Sequence, residues 1–285
     1  MTITPADDRP VVSILTLGCK LNQSDSEAIA RELSGEGVRV TDRAAKDAAA
    51  YVINTCSVTH VADRKARHLV RLARRLSPEA QILVTGCYAE TAPPDISETI
   101  GADMVLRNVD KPAIAPRILE RLAEAGDPIG GCPTPVRNPL RTRAFIKIQE
   151  GCDELCAFCI VPYTRGREVS VPIENVVRQV QAREAEGVLE VVLTGTQLGN
   201  YGRDLGWPRA EQGPQRLLAE LLARTSIPRI RLSSLQAQDI SEGLLPLWFD
   251  ARLCPHFHLP LAAQTPSLNR CGVAIRSSSI ALLSL

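Results

Sequence analysis

Gly151-Cys152-Asp153-Glu154-Leu155-Cys156-Ala157-Phe158-Cys159 follows an apolar run, Ala144 to Ile148, that reads as a strand. Three thiols spaced CxxxCxxC therefore sit in the loop at a strand's carboxyl end. Met1 to Asp8 carries acids and no apolar signal-peptide core. In a chain of that kind, thiols this close together point to metal rather than to disulfides. Thiolate is a soft ligand that suits iron-sulfur clusters or zinc, and the number three separates the two. Structural zinc closes with four protein ligands, whereas a 4Fe-4S cluster on three thiolates keeps one iron open to a small molecule. A zinc knuckle would need a fourth ligand such as Cys132, which lies among Pro and Gly rather than at ligand spacing.

Outward from this loop, the 285 residues are enough for two domains, and 45% hydrophobic content can fill two cores. No uninterrupted apolar run approaches the length of a membrane span, so the expected location is the cytoplasm, with no membrane partner. A net charge of +1 argues against a general electrostatic coating of nucleic acid, and DNA is not expected as a partner. It leaves room for a local basic patch. Residues 126–142 hold four Pro and three Gly without periodicity and read as a linker. The expected domains are 1–125, then this linker, then 143–261, with 262–285 as an aberrant tail.

Before the linker, short β-rich runs alternate with helix-period segments, the pattern of an α/β sheet. Strands are expected at Val12 to Leu17, Val38 to Thr41, Tyr51 to Thr55, Ile82 to Thr85 and Met104 to Leu106. Three of them end alike, in Leu17-Gly18-Cys19, Asn54-Thr55-Cys56 and Thr85-Gly86-Cys87. Parallel strands share a carboxyl edge, where ligands bind, so Cys19, Cys56 and Cys87 should converge into a second three-thiol site. Buried cysteine as a small hydrophobe is the plainer reading of any one of them. Asn22, Ser24 and Asp25 read as caps of a helix running to Leu33 and ended by Gly35 and Gly37. A helix from Val61 to Leu76 carries Arg64, Arg67, His68, Arg71, Arg74 and Arg75 at spacings of three and four. Such a stripe is either a solvated face or an RNA contact.

Beyond the linker the alternation resumes. Strands are expected at Phe145 to Ile148, Glu190 to Leu193, Arg229 to Leu232 and Phe257 to Leu261, with helices at Ile173 to Glu186, Gln215 to Arg224 and Ser241 to Trp248. In a barrel plan the cluster loop and Thr194-Gly195-Thr196-Gln197 share the carboxyl ends of the strands.

Taken together, these motifs resemble the methylthiotransferases of the radical S-adenosylmethionine superfamily over residues 11 to 261. The resemblance implies an α/β fold in which a flavodoxin-like parallel-sheet domain precedes a radical S-adenosylmethionine (β/α) partial barrel, incomplete here. It also implies two 4Fe-4S clusters, one on Cys19, Cys56 and Cys87 and one on Cys152, Cys156 and Cys159, with S-adenosylmethionine on the open iron of the second. Leu17 to Gln23, Ile53 to Thr59, Ile160 to Arg167 and Leu193 to Gly199 look most like the branch that adds a methylthio group at C2 of N6-threonylcarbamoyladenosine beside the tRNA anticodon. Sister branches modify isopentenyladenosine in tRNA or an aspartate of a ribosomal protein. By the same resemblance tRNA is the substrate and an electron donor is a partner. Cleavage of one S-adenosylmethionine gives an adenosyl radical that takes hydrogen from the base. Thr194, Gly195, Thr196 and Gln197 are placed at the cofactor's methionine end. Phe158 reads as core packing or as a plate on the cofactor's adenine. Arg165 and Arg167 read as phosphate contacts or as part of a solvated loop.

After Leu261 the resemblance stops. From Ala262 onward there is no Asp, Glu or Lys, although charged residues make up 23% of the chain. Possible codons for residues 263–280, shifted by one base, spell a stretch similar to the family's continuation. The expectation is a frameshift near codons 261–263, loss of the C-terminal RNA-binding TRAM module, an uncovered sheet edge and a poor or inactive enzyme. A catalytically silent iron-sulfur protein is the competing reading.

Overall fold

Three parallel strands lie at the centre of the first half of the molecule, and the chain that links them explains why. A computed structural model describes residues 9–92, 97, 100–130, 143–157, 159–207, 213–236 and 239–259. The tail after Leu261 and most of the expected linker lie outside them. The chain divides into two units, within residues 1–137 and 138–285.

In the first unit, β1 (Val11–Thr16) leads into α1 (Lys20–Gly35), followed by β2 (Arg39–Thr41), β3 (Ala48–Thr55), α2 (His60–Leu76), β4 (Gln81–Gly86), α3 (Cys87–Thr91), β5 (Met104–Val105) and α4 (Ile114–Glu124). The sheet order is β2-β1-β3-β4-β5 with every pairing parallel. This is the flavodoxin-like order, with the chain switching direction between β1 and β3. Both faces are covered, so the central strands are almost continuously apolar. Tyr51, Ile53, Ile82 and Val84 pack beneath Ala66, Val70 and Ala73 of α2. Val12, Ile14, Val52 and Leu83 pack with Ile29, Leu33, Ile114 and Ile118 on the other face.

In the second unit, β6 (Arg143–Lys147) is followed by β7 (Gln149–Glu150), α5 (Val161–Arg165), β8 (Val169–Ser170), α6 (Ile173–Ala185), β9 (Glu190–Thr194), α7 (Gly213–Arg224) and β10 (Arg229–Leu232). Strands β6, β9 and β10 form a parallel sheet with β9 at the centre. Helix α6 buries Ile173, Val176, Val177 and Val180, one face at spacings of three and four.

Glu190 opens β9 and stands in register with Arg143 on one side and Arg229 on the other. Its carboxylate meets Arg143 at 3.1 Å, Arg229 at 3.0 Å and Arg231 at 2.8 Å. Burial alone would raise Glu190, but the hydrogen bonds from Arg231 and Arg229 outweigh it and hold the carboxyl below its ordinary value of 4.5. Its stabilising contribution is therefore complete above that value and fades as pH falls through the lowered one. Chemical denaturation of Glu190→Gln is expected to show a loss of about 1–3 kcal/mol at neutral pH that shrinks toward zero in acid.

Two expected elements differ. The helix expected at Ser241 to Trp248 is a turn followed by a 3-10 segment, Leu245–Phe249, because Pro246 cannot donate to a preceding turn. Of the strand expected at Phe257 to Leu261, the described residues 257–259 form one bridge, Ser234 with His258, and a second bridge, Ile230 with Leu253, precedes it.

Candidate functional site

Strands β1, β3 and β4 are neighbours, and each ends at a cysteine. Thr55 stands in register with Gly86, so Cys56 and Cys87 follow side by side. Leu17 N–H donates to Asn54 O at 2.8 Å, bringing the third strand end level with them. The chain then turns at Gly18, whose φ of +96° leads into Cys19 at the N-cap of α1. A Cβ on Gly18 would lie 2.7 Å from Cys56 Cβ and 3.0 Å from its sulfur, so the turn rests on that thiol. Gly86 is tighter still, with φ at +94° and a Cβ position 2.3 Å from Thr55 O.

Asn22 was expected to cap the helix together with Ser24 and Asp25, but α1 already begins at Lys20 and all three are buried inside it. Asn22 Nδ2 donates to Leu17 O and Thr55 O, both at 2.8 Å, tying two strand ends together. Asn54 Nδ2 returns bonds to Asn22 O and Ser26 Oγ. Asp25 accepts from Lys111 at 2.5 Å in a buried pair. Carbonyls at buried strand ends need donors, and that need takes these side chains away from capping.

Cys56 and Cys87 are buried and Cys19 is exposed. Burial pushes the Cys56 thiol up; the Val58 N–H opposes it, and the neighbouring Cys87 and Cys19 add to it, which puts the three sulfurs within electrostatic reach of one another. Burial likewise raises Cys152 and Cys156.

In the second unit the cluster loop leaves β7 at Gly151, whose φ is +75° and whose Cβ position would fall 1.9 Å from Arg167 O. Only glycine fits there. Cys152 N–H donates to Gly166 O at 3.0 Å and Cys159 N–H to Cys156 O at 3.1 Å. Asp153 closes the loop's base by pairing with Arg167 at 2.6 Å and accepting from Glu168 N–H at 3.1 Å. Cys156 and Cys159, with Leu155, Ala157, Ile160 and Tyr163, line a cleft of about 380 Å³.

All seven described cysteines are free thiols. Among the described residues no three Cys, His, Asp or Glu side chains close around one ion-sized point. A cubane asks for something wider, since each thiolate binds its own iron. Two sets of three soft donors, each seated against a glycine that lets backbone approach, fit such a group.

Residues 11–107 match the family described as uncharacterized protein family UPF0004. The chain is 37% identical over 263 residues to threonylcarbamoyladenosine tRNA methylthiotransferase MtaB of Aquifex aeolicus, covering 88% of this chain and 62% of that protein. It is 36% identical to the protein of the same name from Bacillus subtilis, covering 88% and 57%. Over most of its length the chain is similar to tRNA methylthiotransferases. It spans about three fifths of the length of these relatives. A solved structure, the radical S-adenosylmethionine methyltransferase TsrM from Kitasatospora setae, shares the fold with a TM-score of 0.59 at 15% identity, over 90% of this chain and 60% of that one. No helix among the described residues is long and apolar enough to cross a membrane.

The residues anticipated around the thiols separate by role. Thr194 ends β9, and Gly195, Thr196 and Gln197 follow beside the cluster loop; Phe158 lies outside the described residues. Arg165 and Arg167 are the expected phosphate or substrate contacts, or else part of a solvated loop. Instead, Arg165 sits in α5 with its guanidinium buried on Glu150, which also pairs with Lys147 at 2.8 Å. Arg167 is exposed but tied to Asp153. Both hold the loop in shape.

The residue that sequence reasoning missed is Gln149. Fully buried, its Oε1 accepts from Thr196 N–H and Gln197 N–H, each at 2.9 Å, and its Nε2 donates to Gly151 O at 2.8 Å. One amide therefore locks the cluster loop to the Thr194 to Gln197 loop. The available signal was a polar residue directly after Ile148, at the point where the strand gives way to the thiol loop. Gln149→Leu leaves two buried N–H groups without an acceptor, a cost of about 2 kcal/mol. Hydrogen exchange should show the Thr196 and Gln197 amides opening about 30-fold more readily.

Proposed function

We propose that this chain acts as a radical S-adenosylmethionine methylthiotransferase on tRNA, inserting a methylthio group at C2 of N6-threonylcarbamoyladenosine beside the anticodon. The observation that carries the reading is the placement of six free thiols, three per unit: one set follows the carboxyl ends of three parallel strands, and the other lies in the single loop that leaves β7. Cys19, Cys56 and Cys87 would hold one 4Fe-4S cluster, and Cys152, Cys156 and Cys159 the other. A cluster with one open iron supplies the electron that cleaves the sulfonium of bound S-adenosylmethionine.

The chain's own residues position that chemistry. Gln149 fixes the spacing between the thiol loop and the loop that would receive the methionine end of the cofactor. Gln197 Nε2 is buried without an acceptor among the described residues, a donor in place for a carboxylate or carbonyl oxygen. Phe158 would pack on the cofactor's adenine. The exposed Leu155 and Tyr163 flank Cys156 and Cys159 and offer apolar surface to a base. The threonylcarbamoyladenosine branch is supported by two relatives of that name at 37% and 36% identity. The working compartment is the cytoplasm, where tRNA and an electron donor are both at hand.

Nucleoside analysis of tRNA from a strain lacking the gene tests this. The 2-methylthio form of threonylcarbamoyladenosine should disappear and the unmethylthiolated nucleoside accumulate. An unchanged nucleoside profile would overturn the reading.

A further inference from the structure

Helix α2 carries its arginines in two sets, and only one of them is used by the fold. Arg67 donates to Tyr88 Oη at 3.1 Å, its guanidinium 6.0 Å from the ring centre. Arg74 is pinned by both oxygens of Asp103 at 2.8 Å and by the carbonyls of Pro78 and Ala80. Arg64, His68, Arg71 and Arg75 are exposed, and among the described residues they have no ion pair. Their spacings of four, three and four place them in one row along the helix. The row opposes the buried Ala66, Val70 and Ala73. At a rise of 1.5 Å per residue it extends about 16 Å.

Helix α2 starts close to the first thiol set, since His60 lies four residues beyond Cys56, and the row runs away from it because α2 returns antiparallel to β3. At its far end His68, Arg71, Arg74 and Arg75, with Ile100 and Gly101, line a cleft of about 500 Å³. Asp103 is already paired with Arg74, and among the described residues it makes no ion pair with the exposed arginines. A line of guanidinium groups ending in a basic cleft suits a chain of phosphates rather than one small anion. Val61 is the large apolar residue exposed on this helix, too little for a membrane surface.

We propose that Arg64, Arg71 and Arg75 form a phosphodiester track that holds the RNA backbone away from the reacting nucleotide, with its last phosphate seated in the His68–Arg75 cleft. This rests on tRNA being the substrate. It extends that reading to a surface outside both thiol sites.

The test is binding of unfractionated tRNA to the full chain as a function of salt, for the wild type, the triple variant R64A/R71A/R75A and a charge-matched control, R43A/R117A/R121A, whose three arginines are exposed and lie off this helix. Three lost phosphate contacts lower the magnitude of the slope of log K against log salt by about 2, while the control and the iron content stay at wild-type values. A triple variant with the control's slope would leave the row as a solvated face and overturn the proposal alone. Duplex DNA bound as tightly as tRNA would overturn the assignment to RNA. A wild type that binds no tRNA would remove the substrate reading along with the track.

Discussion

Cys156→Ala is expected to abolish cleavage of S-adenosylmethionine and to remove about four of about eight irons per chain. Each thiol set belongs to one unit and is built on that unit's own sheet. The loss should therefore stop at one cluster, and Cys56→Ala should remove the complementary four. Cys156 is exposed in a loop and carries no packing, so its loss removes a ligand without disturbing a core. Cys254 is the control: it is a free, buried thiol outside both sets, and Cys254→Ala should leave iron content unchanged. Iron and sulfide analysis with anaerobic turnover reads all three variants. Equal iron loss from Cys254→Ala, or complete loss of iron from Cys156→Ala alone, would contradict two independent sites.

Gly86→Ala is the substitution expected to damage the first unit most. Its φ of +94° lies in the region that L side chains avoid, and a Cβ there would sit 2.3 Å from Thr55 O, 2.6 Å from Thr55 N and 2.7 Å from Asn54 Oδ1. Two of those atoms belong to the backbone of β3, which is held in register on both sides and cannot move aside alone. Strain and displacement together cost about 3 kcal/mol or more, enough to lower the melting temperature of the first unit by about 10 °C. The same shift would part Cys56 from Cys87, so iron at the first site should fall even in protein that remains folded. Gly35→Ala is the contrasting change: a Cβ there meets nothing within 4 Å, and a helical position gains from alanine.

Strand positions, and the thiols that end three of them, were legible in the sequence because a doubly covered sheet needs continuous apolar runs and a glycine or small residue at the turn. The interior wiring was not. Asn22 has the residue type of a cap, and only the proximity of Leu17 O and Thr55 O, one of them 33 residues away, turns it inward. Arg67 and Arg71 look alike along the helix. What separates them is Tyr88, supplied by α3, just as Asp103 separates Arg74 from Arg75. Arg165 looked like a loop cation because its partner, Glu150, lies on the far side of the thiol loop. In each case the deciding contact is tertiary, and a periodicity of three or four residues carries no information about it. Pro246 is the opposite case, a local signal that should have overruled the apolar pattern around it.

The measurement that tests the account most directly is iron and acid-labile sulfide per chain after anaerobic reconstitution, with zinc counted in the same sample. Two three-thiol sites predict about eight irons and eight sulfides per chain and a spectrum that changes when S-adenosylmethionine is added. One tightly held zinc with no sulfide, or a wild type that holds only four irons and keeps all four when Cys152, Cys156 and Cys159 are replaced by alanine, would contradict it.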